Sequence, residues 1–134
     1  MSETPTFPAE QVEQLISAYF TAMETMNPAG WAEIFAPDAT IYDPVGTPAT
    51  NPHQDSEKFF AILSAFLAQL QLSQNHVFVV GNSAAVKWTM TVTGKNGRPG
   101  ETEGISTFEI NAAGKIQTVS SYWDETALAA QLKG

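Results

Sequence analysis

The sequence predicts an α+β fold, with a curved antiparallel (mixed) sheet wrapped around helices to form a conical barrel with one internal cavity. Three observations carry this. Apolar residues recur at helical spacing in the first half of the chain, and from Leu72 they recur at every second position. A short apolar strand stands among the helices and ends at a proline.

Residues 1–7 read as a loose arm. Pro8 suits a first helical turn, and Glu10 places a negative charge near the helix N-terminus. Val12, Leu15, Ile16, Tyr19, Met23 and Met26 then form one apolar face. Asn27-Pro28 stops that helix. A short second helix is expected from Pro28 to Phe35, with Trp31, Ile34 and Phe35 facing inward. After the Pro37-Asp38 turn comes the short strand, with Ala39, Ile41 and Asp43 on one side. Gly46 to Asp55 is polar and rich in proline, so it reads as a loop. A third helix is expected to begin near Asp55 or Ser56, with Phe59, Phe60, Leu63, Phe66, Leu67 and Leu70 on its apolar face. Val86, Trp88, Met90 and Val92 alternate with polar residues, as in a half-buried strand. Asn96-Gly97 marks a hairpin turn. Strands over Glu101–Asn111 and Lys115–Trp123 follow, the former with Ser106, Phe108 and Ile110 on one face. A last helix starts after Asp124.

The bulk composition bounds function. The chain has 134 residues, 43% of them apolar, which suits one domain over residues 1–134. It has no cysteine, so disulfide and thiol chemistry are excluded. Net charge is −8, and the six basic residues are scattered, which argues against nucleic-acid binding. No apolar run approaches the roughly 20 residues of a membrane span. Met1 to Pro8 lacks the basic start and apolar stretch of a secretion signal, so a cytoplasmic location is expected. His53 and His76 have no further ligand at useful spacing, so no metal site and no cofactor are expected. The glycines of "GKNGRPG" join two strands rather than a strand and a helix, so they do not cradle a phosphate. No serine lies in a nucleophile-elbow pattern.

The chemistry concentrates at Tyr42-Asp43-Pro44-Val45-Gly46. Asp43 shares its side of the strand with two core residues. A carboxylate in apolar surroundings loses hydration and its pKa rises, which makes it a more useful base near neutral pH. Ser106, on the face of Phe108 and Ile110, is either a small core filler or a cavity contact.

The stretch "AYFTAMETMNPAGWAEIFAPDATIYDPVG", together with "INAAGKIQTVSSYW" near the end, resembles the ketosteroid isomerase family of the nuclear transport factor 2-like superfold. The resemblance covers nearly the whole chain. It implies a cofactor-independent isomerase acting on a small apolar carbonyl compound, steroid-like or polyketide-like. In that family an Asp removes a proton beside the carbonyl, while a Tyr and a protonated Asp donate to the developing enolate oxygen. By resemblance Asp43 is the base and Tyr19 a donor. Ser106 stands where the family has its protonated Asp, and Phe60 and Phe35 stand where it has further tyrosines. Trp123 matches an aromatic pocket wall, with Trp88, Met90, Phe108 and Phe60 as further pocket candidates. The resemblance also implies a homodimer through the outer sheet face, where Thr89, Thr91, Thr107 and Val119 are expected. The alternatives are a non-catalytic binder of apolar ligands and a dehydratase or hydrolase on the same fold.

Overall fold

A computed structural model describes residues 6–133. The elements are α1 (Ala9–Thr25), α2 (Pro28–Glu33), β1 (Phe35–Tyr42), α3 (Pro52–Phe66), β2 (Leu67–Val80), β3 (Ser83–Gly94), β4 (Pro99–Ile110), β5 (Ile116–Tyr122) and α4 (Glu125–Lys133). The five strands form one sheet in the order β1-β5-β4-β3-β2. All neighbours are antiparallel except β1 and β5, which run parallel. The sheet is mixed, as expected, but open: β1 and β2 are its two edges.

The core lies between the inner face of the sheet and the helices. From α1 it takes Val12, Ile16, Tyr19, Phe20 and Met23, and from β3 Val86, Trp88, Met90 and Val92. Apart from Phe20, both sets follow the spacing seen in the sequence. α1 ends at Met26, whose left-handed backbone (φ 51°) closes the last turn. The Asn27 side chain then accepts from the Gly30 N–H at 3.1 Å and starts α2. Of the expected N-terminal arm, residues 1–5 lie outside the described residues. Phe7 packs against the core, and its N–H donates to Asn82 Oδ1 at 3.0 Å.

Several boundaries differ from the sequence reading. α2 ends at Glu33, and Phe35 opens β1, although it is buried as expected. α3 begins three residues before Asp55. Asn51 caps it, accepting from His53 N at 2.9 Å and Gln54 N at 3.1 Å, while Asp55 Oδ2 accepts the Asn51 N–H at 2.9 Å. Asn51-Pro52 is thus a helix start with proline in the first turn, not a loop. Leu67 and Leu70 belong to β2, and Phe66 is 69% exposed. A register shift between Leu67 and Gln69 puts both leucines inward at a spacing of three, which imitates a helix.

A second irregularity matters more. Ile110 pairs with Ile116 and Glu109 with Thr118, so Gln117 is an extra residue in β5. This bulge exchanges the faces of all that follows. Val119, expected on the outer face, is fully buried, and Ser121 turns inward with it at 2% exposure.

Candidate active site

Asp43 follows β1 directly. Ala39 and Ile41 are each 2% exposed, so the alternation that buries them also aims Asp43 inward. Two backbone ties hold the segment. Ile41 and Thr50 exchange N–H···O bonds of 2.9 Å, and the Val45 N–H donates to the Ser121 carbonyl at 2.8 Å. The Asp43–Pro44 peptide bond is cis.

Asp43 lines a cavity of about 130 Å³ together with Tyr19, Trp88, Ser106, Ser121 and Trp123. The rest of the lining is almost wholly apolar, from α1, α3, β2, β3 and α4, and includes Met90. The exception is the exposed Glu125. The acid and the phenol, 24 positions apart in sequence, therefore meet in one hollow. Phe60 and Phe108 do not reach it. Phe60 packs edge-on against Trp31 at 5.2 Å, and its neighbour Phe59 lines the cavity instead. One residue along a helix is a turn of about 100°, so of two rings that both touch Trp31 only Phe59 reaches the cavity. Phe108 sits behind Tyr19, ring to ring at 5.2 Å. The remaining candidates, Tyr19, Asp43, Ser106, Trp88, Met90 and Trp123, all border the cavity.

Asp43 is half-buried as a whole residue, with its carboxyl end toward the interior. Burial raises its pKa above the ordinary 3.8; a hydrogen bond from Trp123 opposes the rise, and the charge of Glu125 adds to it. That bond is short: Trp123 Nε1 donates to Asp43 Oδ1 at 2.7 Å. It fixes one carboxylate oxygen and leaves the other for chemistry. Trp123→Phe should therefore lift the Asp43 pKa further. The acid limb of any Asp43-dependent rate should move to higher pH, as a pH–rate profile would reveal; an unmoved limb would contradict the role given to this bond.

Tyr19 is 2% exposed. Its pKa is raised well above 10.0 by burial first and by the Asp43 charge second, and a hydrogen bond with Ser121 opposes the rise. Tyr19 is thus a neutral phenol, and so a hydrogen-bond donor, at any ordinary pH. Its ring is held edge-on by Phe20, Phe35 and Phe108.

A hydroxyl chain runs behind it. Trp88 Nε1 donates to Ser106 Oγ at 2.9 Å, and Ser106 and Ser121 share a 2.7 Å bond. Ser121 also borders the cavity beside Tyr19 and holds back the rise of its pKa. The sequence reading missed Ser121, because strand alternation without the Gln117 bulge places it outside. Ser106 and Ser121 are direct cross-strand partners, so the pair follows from the register.

Gly104 makes room for the two indoles, whose ring centroids are 6.2 Å apart. A Cβ there would lie 2.7 Å from Trp88, 2.8 Å from Trp123 and 2.5 Å from the Tyr122 carbonyl. Gly104→Ala should cost about 1–3 kcal/mol of stability. Urea denaturation checks this, and an unchanged midpoint would mean that the wall gives way freely.

Among the described residues, no group of three or more His, Cys, Asp or Glu side chains is arranged to hold a metal ion. No described helix is long and apolar enough to cross a membrane.

An open mixed sheet packed over helices around a hollow is the cone fold of the nuclear transport factor 2-like superfamily. Residues 16–119 match the SnoaL-like domain, and the chain belongs to that family. Among curated relatives, the steroid Delta-isomerase of Nocardioides simplex is 27% identical over 113 residues, which cover 84% of this chain and 89% of that protein. Two solved structures share the fold. The epoxide hydrolase/cyclase-like enzyme SalBIII has a TM-score of 0.75 and 21% identity, over 88% of this chain and 94% of its own. An M. tuberculosis LEH-like epoxide hydrolase has a TM-score of 0.75 and 12% identity, over 92% of this chain and 90% of its own.

Proposed function

We propose that the protein is a cofactor-independent isomerase that moves a proton beside the carbonyl of a small apolar substrate. The observation that carries this is the shared cavity. A carboxylate with a raised pKa and a neutral buried phenol border one apolar hollow. These are the two groups that enolisation needs: a base for the carbon acid and a donor for the developing oxyanion.

The free oxygen of Asp43 takes the proton from the carbon beside the carbonyl. The electron pair moves onto the carbonyl oxygen, where the Tyr19 hydroxyl stabilises it. Collapse of the enolate with protonation by Asp43 at the far end of the conjugated system gives the isomer and restores the base. The apolar walls keep bulk water from competing for either group. The likeness to a protein named steroid Delta-isomerase supports this reading.

Cavity size favours a compact reacting group. Its roughly 130 Å³ is close to the 150 Å³ of a cavity that takes one benzene. A single ring therefore occupies the hollow, and any larger substrate extends past Glu125 toward solvent. The test is a one-ring β,γ-unsaturated ketone, followed by the ultraviolet absorbance of its conjugated product. Acceleration without added metal or cofactor supports the reading. Binding without turnover would favour a ligand-binding module instead.

Glu125 supports a second reading. It is another carboxylate on the same cavity, and its charge acts on Asp43. Two acids of unlike environment suit ring opening or closing of an epoxide, with one as proton donor and the other as base. Hydrolysis of a small apolar epoxide that fails in both Asp43→Asn and Glu125→Gln would favour it.

A further inference from the structure

Glu125 opens α4 and is exposed, yet it borders the same cavity as Asp43. The surrounding structure holds it there. Trp123, two residues earlier, is tied to Asp43 by its 2.7 Å bond. Asp124, between them, is spent as a helix cap, since its Oδ1 accepts the Ala127 N–H at 3.0 Å. Leu128 lies one turn on from Glu125, is 6% exposed and lines the cavity too, so one face of α4 serves both. The helix is pinned to β4 by Gln131, which donates to the Glu101 carbonyl at 2.9 Å and accepts the Glu101 N–H at 2.8 Å. No lysine or arginine borders the cavity, and Glu125 has no ion-pair partner among the described residues. A ligand in this hollow therefore meets two acids and no cation: Asp43 within and Glu125 at the exposed end. The chain as a whole carries −8, so the wider surface offers an anion no compensating attraction.

We propose that Glu125 is a specificity-determining residue: its carboxylate at the exposed end of the cavity selects substrates whose solvent-facing end is a protonated amine, and rejects those that end in a carboxylate or a phosphate. This deepens the function proposed above and rests on its binding mode, with one ring inside and the rest of the substrate passing Glu125. The ring and its carbonyl stay with Asp43 and Tyr19, while an ammonium on a short tail stops at Glu125. A neutral tail finds no charged partner there. An anionic tail meets like charge with nothing on the wall to neutralise it, and solvent at the exposed end weakens that repulsion without removing it. The two acids are thus divided by depth. Asp43 is fixed by Trp123 and serves the carbonyl; Glu125 is exposed and serves the tail. The charge of Glu125 is felt at Asp43, so a charged group lying between them is within its reach.

The experiment is isothermal titration calorimetry at about pH 7 and low salt, with three one-ring ketones of similar size. They are para-aminomethylacetophenone, which is cationic, para-ethylacetophenone, which is neutral, and para-acetylbenzoate, which is anionic. The unsubstituted protein should bind the cation about threefold to tenfold more tightly than the neutral ketone, and the anion more weakly by a similar factor. In Glu125→Gln both ratios should shrink to within about twofold of one, and in Glu125→Lys the order of cation and anion should reverse. Glu125 is exposed, so both variants keep the fold. Glu13→Gln removes an exposed charge of α1 that does not line the cavity, and it should leave both ratios as they are. Ratios that survive in Glu125→Gln, or that fall as far in Glu13→Gln, would trace the preference to Asp43 or to net charge and overturn the role of Glu125. So would equal binding of all three ketones by the unsubstituted protein. In each of those cases the neutral ketone still binds, and the proposed function stands. If the neutral ketone does not bind at all, the binding mode fails and the selection by Glu125 falls with it.

Discussion

Asp43→Asn should lower kcat on a one-ring β,γ-unsaturated ketone by about 10²–10⁴-fold, the usual contribution of a positioned general base. Asn has nearly the same shape, and its carbonyl oxygen can still accept from Trp123. KM should therefore move little, because the loss falls on proton transfer rather than on binding. In the unsubstituted protein the rate should fall as acid protonates Asp43. That fall should be centred above 3.8, since burial raises the carboxyl's pKa. A stability effect of opposite sense accompanies the loss. Below 3.8 both folded and unfolded chains hold the proton, and burial exacts nothing. As pH rises, the unfolded chain releases its proton first, so the folded state loses stability until its own raised pKa is passed. Asp43→Asn should thus be more stable than the parent near neutral pH, and the gap should close in acid. Urea unfolding at about pH 7 and about pH 3 reads both limits.

Tyr19→Phe should cost about 10²–10³-fold in kcat, as removal of one oxyanion donor does. The ring contacts with Phe20, Phe35 and Phe108 survive the change, so ground-state binding should alter little. The donor matters most when charge reaches the oxygen, and the loss should appear in kcat more than in KM. Because the Tyr19 pKa lies well above 10.0, no alkaline fall from its ionisation should be seen in the ordinary working range. If the rate instead falls through a raised KM alone, Tyr19 is a binding contact and not a transition-state donor.

Asp43 and Tyr19 were legible in the sequence because both lie on regular stretches. Asp43 continues the alternation of Ala39 and Ile41, and Tyr19 lies on the face of Ile16 and Met23. The β3 face was legible for the same reason. What escaped were places where the chain departs from its period. The shift between Leu67 and Gln69 made strand residues look helical, and the extra residue Gln117 carried Val119 and Ser121 to the inner face. A bulge is set by pairing with a neighbouring strand, so one strand's own pattern does not announce it. The helix start at Asn51-Pro52 did have a local signal, in the side-chain cap and the proline after it. The polar, proline-rich surroundings concealed it as a loop. Phe59 and Phe60 show a further limit: both rings meet Trp31, and a broad apolar helix face does not say which of them also reaches the cavity.

The most direct measurement is exchange of the protons beside the carbonyl of a small cyclic ketone in deuterium oxide, followed by proton NMR with catalytic amounts of protein. It needs no knowledge of the natural substrate and reads only removal of the proton and stabilisation of the enolate. The expected result is rapid exchange with the unsubstituted protein and near-background exchange with both Asp43→Asn and Tyr19→Phe. Exchange at the unsubstituted rate in either variant would contradict a site in which the two groups act on one carbonyl.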